Sequence, residues 1–315
     1  MGEAMALLGI SDLRDDLEFG AKVTGLTRSA LEDACVRSNL KHLLEDRGVI
    51  VFKGLEQTSE MQVRLSEVFG PLKEHPVKSV DRADRDNLPG VIVIAVGPGS
   101  GIVEIDGKPL VTWQPWHFDH AYNDELMYAA VLRSIKIAKD GGRTAFADGI
   151  QIYNDMSPEM REAAESLNVL YNLDLRYDRQ RFGLPQNFRL VKNHASSMSA
   201  DNENARCAVH PAVWERPTGE KVFHMCGYGC RGLEGDRSDA AFERLAEVWD
   251  EAERAMKPYF HEWEEGDMVV WDNLRVLHTA TGSNPEEPRE VHRTTIKGDY
   301  GLGRWEQETR ESETV

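Results

Sequence analysis

The sequence predicts a mainly β protein with flanking helices, a β-sandwich or jelly roll wrapped by helical segments. Three observations point there. Short β-branched runs recur along the chain, as in Val49-Ile50-Val51-Phe52 and residues 91–96. Helical periodicity is confined to a few well-capped segments. Strands and helices do not alternate in the βαβ order that a doubly wound sheet requires. With 315 residues, 41% of them hydrophobic, the chain can bury a substantial core as a single domain spanning residues 1–315.

Each element has its own local reason. Residues 27–47 read as one helix, with Ser29 and Glu32 as a capping box and Leu31, Cys35, Leu40, Leu43 and Leu44 as its apolar face. Gly48 ends it, and the strand 49–52 follows at once. A second helix begins at Ser59 with Gln62 as box partner and closes at Phe69-Gly70. The stretch 97–113 (GPGSGIVEIDGKPLVTW) reads as a hairpin or a mobile loop. Ser157-Pro158 opens another helix with Pro at the favoured first position, and one more covers 238–256. The last third alternates turns with strands at 221–223, 268–271 and 290–296. From about residue 306 the acidic tail reads as frayed and solvated.

Charge narrows the partners. Lys+Arg 37 against Asp+Glu 54 gives a net charge of −17. That excess repels phosphate backbones and anionic lipid, which argues against nucleic acid and membrane partners. An anionic small molecule would need a few locally placed Arg or Lys. No apolar run approaches the roughly 20 residues of a membrane span, and residues 4–10 lack the basic flank of a signal peptide. Cys35, Cys207, Cys226 and Cys230 are too few and too irregular for a disulfide framework. A reduced, cytoplasmic setting is expected.

The chemistry concentrates in Trp116-His117-Phe118-Asp119-His120. On an extended strand side chains alternate, so His117 and Asp119 project to one side. An imidazole and a carboxylate so placed supply two ligands of a 2-His-1-carboxylate facial triad, which leaves open positions on Fe(II). Alone, the triplet is weak. His278, at the end of an apolar strand after Trp271-Asp272-Asn273, is a candidate third ligand. Arg289 and Arg293, four apart, can face one side of a strand, and an Arg near the metal can clamp a dicarboxylate. Gly141-Gly142-Arg143-Thr144 adds a hydroxyl for the same carboxylate.

Together these blocks resemble the taurine and aryloxyacetate dioxygenase family (TauD/TfdA) of Fe(II)/2-oxoglutarate enzymes. The resemblance also takes in Gly25-Leu26, Phe69-Gly70-Pro71-Leu72, Gly266-Asp267 and Gly298-Asp299, so it covers most of the chain. It implies a double-stranded β-helix, the cupin-like jelly roll. By position, His117, Asp119 and His278 match the iron ligands, and Thr144 and Arg289 match the contacts to the far carboxylate of 2-oxoglutarate. Arg293 and His75 match substrate contacts of the sulfonate-oxidising members, and Trp271 matches an aromatic beside the iron. Lys78 and Trp113 stand where taurine-oxidising members place Tyr and Asn. With Phe118 they complete the expected substrate-binding set and favour an anion bulkier or more apolar than taurine.

The resemblance implies cofactor Fe(II), co-substrates 2-oxoglutarate and O2, a small anionic organic substrate, release of succinate and CO2, and a homo-oligomer. Asp119 in the triad argues for hydroxylation, followed by C–X cleavage where the new alcohol adjoins a heteroatom; desaturation stays open. Two other classes compete: a non-catalytic anion-binding jelly roll, and a zinc hydrolase, in which Thr144 and Arg289 would have no task. Of the remaining candidates, His120 points away from Asp119 on an ideal strand, and His292 points away from Arg293. Cys226-Gly227-Tyr228-Gly229-Cys230 reads as two buried thiols without a zinc-type partner pair. His194, His210, His224 and His261 read as structural or surface, and the 234–239 charges as a solvated turn.

Overall fold

A computed structural model describes residues 8–74, 81–84 and 87–306. Two β-sheets dominate. The larger has eight strands, in the order Gly9–Asp12, Ala21–Thr24, Val49–Phe52, Met268–Asp272, Ala129–Lys136, Glu290–Ile296, Leu88–Ala95 and Arg82–Asp84. The smaller has six: Phe188–Lys192, Ile102–Ile105, Lys108–His117, Val276–Ser283, Thr144–Asp148 and Tyr259–His261. Neighbours are antiparallel except Ala21–Thr24 beside Val49–Phe52. Sequence-distant strands are thus brought side by side, as a jelly roll requires.

Alternation explains how the larger sheet is covered on both faces. Val49, Val51, Leu132, Val269 and Trp271 point to one side and pack with Phe146 and Val276 of the smaller sheet. Ile50, Phe52, Val131 and Val270 point to the other and meet Leu40, Leu44, Met61, Leu65 and Val68 from the helices Ala34–Arg47 and Ser59–Phe69. A strand buried on both faces reads as a continuous apolar run, which is what Val49-Ile50-Val51-Phe52 is. A third cluster gathers the helices Gly149–Asp155, Pro158–Glu165 and Asp239–Ala255 around Trp249, Phe223 and Tyr171.

The helix expected over 27–47 is two pieces. Ser29–Glu32 is a 3-10 turn, and the α-helix begins at Ala34, where the Asp33 carboxylate accepts the Cys35 N–H at 2.7 Å. Asp33 wins the cap because its backbone is extended while Arg28, ahead of Ser29, is already helical. Gly48 closes the helix at φ 70°, a left-handed position. For the second helix the cap is Thr58, whose hydroxyl accepts from Met61 at 3.2 Å. Gln62 is no box partner: it is buried against the sheet, its amide donating to the Val131 and His292 carbonyls at 3.1 and 3.0 Å. Ser157 caps the helix expected to open there, and Ser238 caps the helix Asp239–Ala255. The 97–113 stretch contains a hairpin turning at Asp106-Gly107, with φ 50° and 76°. The acidic tail beyond residue 306 lies outside the described residues.

Candidate active site

The Lys108–His117 and Val276–Ser283 strands place His117 directly opposite His278, their ring centroids 4.2 Å apart. The strand carrying His117 ends there. Asp119 is therefore oriented not by strand alternation but by Asn273, whose amide oxygen accepts the Asp119 N–H at 2.8 Å. The same amide's nitrogen donates to the carbonyls of Asp119 (3.1 Å) and Met127 (3.2 Å). One donor atom from each of His117, Asp119 and His278 falls within 4.8 Å of the others. His117 Nδ1 lies 2.8 Å from the Pro115 carbonyl, which turns Nε2 toward the carboxylate; His278 Nε2 lies 3.5 Å from Asp119 Oδ2.

Protonation suits a cation. Burial alone would raise the Asp119 carboxyl, but Arg293, His278 and His117 outweigh it and hold it well below the usual carboxylate range. Burial pushes the His117 and His278 imidazoles down, so they are neutral at pH 7. Two neutral imidazoles and one carboxylate are the donor set of a facial triad, and these residues fit Fe(II). Trp271 packs 5.0 Å from the His278 ring, and Phe146 lies against the same ring.

A cavity of about 170 Å³ opens on His117 and Asp119, walled by Gln114, His120, Tyr122, Leu175, Tyr228 and Arg293. Arg293 Nη1 sits 3.0 Å from each Asp119 oxygen. Trp113, expected here, is not among its lining residues. A β-bulge is the reason: His278 pairs with His117, but Ala280 pairs with Gln114, so one extra residue on this strand brings Gln114 rather than Trp113 to the ligand face. The Trp113 ring packs instead against Tyr177 and Phe188 at 5.4 and 5.3 Å. Phe118 borders the cavity, but its ring is buried and stacked on His224 at 3.9 Å, so it braces the ligand segment instead of offering a contact surface. His120, expected to point away, adopts φ 64° just past the strand end and joins the wall. Tyr122 and Tyr228 went unread in the sequence; burial pushes the Tyr122 phenol up to about 12. The expected contacts His75 and Lys78 lie outside the described residues.

Thr144 pairs with Ala280 and Phe146 with His278, so Thr144 shares the inner face, two residues along from the ligand level. Its hydroxyl accepts from Trp263 Nε1 at 3.3 Å. Arg289 lies further along the barrel. It is buried, and burial pulls its pKa down to about 10, which still leaves it charged at pH 7. Its contacts are long and neutral, 3.5 Å to Thr112 Oγ1 and 3.4 Å to the Gly142 carbonyl. Among the described residues no carboxylate pairs with it. A buried guanidinium so poorly compensated calls for an anion. A second cavity of about 270 Å³, with Trp263 and Val291 on its wall, reaches it.

The remaining candidates fall into structural places. His292 turns away from Arg293 and lies between Glu290 (3.1 Å) and Arg133 (3.2 Å). His210 lies 2.6 Å from the Tyr300 hydroxyl, His224 bonds the Asn273 carbonyl, and His261 adjoins Asp267; His194 is exposed. Cys226 and Cys230 are buried free thiols, both pushed up to about 12 by burial. Residues 234–239 are exposed.

A jelly roll with this donor set falls in the class of metal-dependent oxygenases built on the double-stranded β-helix. Within that class, residues 10–295 match the family described as taurine catabolism dioxygenase TauD, TfdA family, and the chain belongs to it. It is similar to an alkylsulfatase of Acinetobacter baylyi, with 25% identity over 90% of this chain and 84% of the relative. An alpha-ketoglutarate-dependent 2,4-dichlorophenoxyacetate dioxygenase of a Burkholderia species shares 25% identity over 86% of this chain and 88% of the relative. The crystal structure of AAD-2 in complex with Mn(II) and N-oxalylglycine superposes with a TM-score of 0.70 at 18% identity, covering 94% of this chain and 99% of that one. The protein is an oxidoreductase, an α-ketoglutarate-dependent dioxygenase that uses Fe(II), 2-oxoglutarate and O2. Among the described residues no helix is long and apolar enough to cross a membrane.

Proposed function

We propose that His117, Asp119 and His278 hold the Fe(II), that Thr144 and Arg289 receive the far carboxylate of 2-oxoglutarate, and that the enzyme hydroxylates a C–H bond of a small anionic organic substrate. The convergence of the three donors, with an uncompensated Arg289 further along the same barrel, carries this reading. Fe(II) with 2-oxoglutarate and O2 supplies the oxidising chemistry, and 2-oxoglutarate leaves as succinate and CO2. The chain's own residues do the rest. Asp119 is ionised and both imidazoles are neutral, so the site receives a cation without first losing protons.

Arg293 stands on the substrate side, where its guanidinium can take a sulfonate, sulfate or carboxylate. The phenols of Tyr122 and Tyr228, kept protonated by burial, can donate hydrogen bonds to a bound anion. Trp271 and Phe146 exclude water behind His278. The alkylsulfatase and the dichlorophenoxyacetate dioxygenase named above support sulfate esters and aryloxyalkanoates as substrates to try first. The family match over 10–295 supports one catalytic domain, and the buried free thiols support a reducing, cytoplasmic setting.

Succinate release is the test, measured with Fe(II), ascorbate and 2-oxoglutarate over panels of sulfonates, sulfate esters and aryloxyalkanoates. Substrate-stimulated succinate, lost in His117→Ala, is the expected result. A chain that binds no Fe(II) would instead be an anion-binding jelly roll.

A further inference from the structure

Of the three proposed iron ligands, only the two histidines belong to the sheet. The ladder fixes His117 against His278, but the strand is over before Asp119, and no β-pairing holds that residue. Asn273 replaces it. Its fully buried side chain takes the Asp119 N–H on Oδ1 and gives Nδ2 to the Asp119 carbonyl, so one amide pairs with both backbone groups of a single residue, as a neighbouring strand would. The second Nδ2 hydrogen goes to the Met127 carbonyl and ties the pair to the larger sheet's end. The Asn273 carbonyl bonds His224 Nε2 at 2.9 Å, and the His224 ring stacks on Phe118, the residue between the two ligands.

We infer that Asn273 is a positioning residue for the metal site: its side-chain amide sets where the Asp119 carboxylate stands, and metal affinity depends on it through Asp119. The inference rests on the reading of His117, Asp119 and His278 as metal ligands. An amide has the donors and acceptor to do this, and here its oxygen and nitrogen are both taken up by backbone groups. Removing partners that orient ligands typically weakens metal binding about 10- to 100-fold.

Co(II) titration of the metal-free full chain, followed by its d–d absorption, tests this. Wild type should bind one Co(II) per chain and His117→Ala should not; a wild type without a site would overturn the ligand reading and this inference with it. Given that site, Asn273→Ala should bind Co(II) at least about tenfold more weakly, with an altered d–d spectrum. Gln62→Ala is the matched control, since Gln62 is also a fully buried amide donating to two backbone carbonyls, on the far side of the larger sheet. It should lose stability but keep Co(II) affinity. A second readout needs no metal: backbone hydrogen exchange across 118–122 should quicken in Asn273→Ala and not in Gln62→Ala. Should Asn273→Ala fail to fold, Asn273→Ser, too short to reach Asp119, is read by the same two measurements. Wild-type Co(II) affinity in the Asn273 variant, or a loss no larger than that of Gln62→Ala, overturns the inference.

Discussion

Arg289 and Arg293 do not share a strand: Arg289 precedes the strand Glu290–Ile296 that carries Arg293, and the two meet different surroundings. Arg293 reaches Asp119, whereas Arg289, ahead of the strand, is buried with only neutral partners. The two should separate cleanly in kinetics. Arg289→Ala should raise the KM for 2-oxoglutarate about 30-fold or more, the loss expected on truncating one side of a buried charged contact, with the substrate KM changed far less. Arg293→Ala should do the reverse. Succinate-release kinetics with each compound varied in turn would show a swapped assignment directly. Asp272 carries a different prediction. Burial raises its carboxyl from 3.8 to about 6, so the folded state holds a proton that the unfolded chain has released. Its contribution is favourable below about pH 4 and is lost as the pH rises through 6. Asp272→Asn should therefore match wild type at pH 4 and exceed it at pH 7.5 by on the order of 1–3 kcal/mol in urea unfolding.

At the level of elements, the apolar strands were legible because burial on both faces writes itself as an unbroken apolar run, as in Val49–Phe52 and Met268-Val269-Val270-Trp271. Helix starts were less so. Ser29, Asp33, Thr58 and Ser59 all carry capping side chains, and only backbone conformation selects among them. Asp33→Ala should cost about 1 kcal/mol in thermal or urea unfolding without altering turnover at 25 °C; Ser29→Ala should cost much less. His278 as a distant companion of His117 and Asp119 was legible as motif and distance, while its direct pairing with His117 and the bulge that moves Trp113 off the cavity were not, because register belongs to two strands at once. Pro115 was the available signal. A proline lacks the N–H that strand pairing uses, so a local irregularity was to be expected where this strand pairs with Val276–Ser283. The role of Asn273 was hidden for a related reason: alternation had already supplied an orientation for Asp119, and nothing in the sequence marks where a strand stops.

For the whole molecule, the metal should act as a staple between strands remote in sequence. A ligand present at 100 times its Kd stabilises the fold by about 2.7 kcal/mol, which for a chain of this size is a rise in Tm of about 4 °C. Co(II) or Fe(II) should produce that shift, EDTA should reverse it, and His278→Ala should abolish it in a thermal melt. The placement of the donors has a further effect on what the scaffold tolerates. Because the imidazoles are set by interstrand pairing and the carboxylate is not, Asp119→Gly should remove the proposed third donor and leave the pairing of His117 with His278 in place. The gap so left, with Arg293 beside it, is a socket for an exogenous anion, and formate supplied in solution should restore Co(II) binding lost in Asp119→Gly.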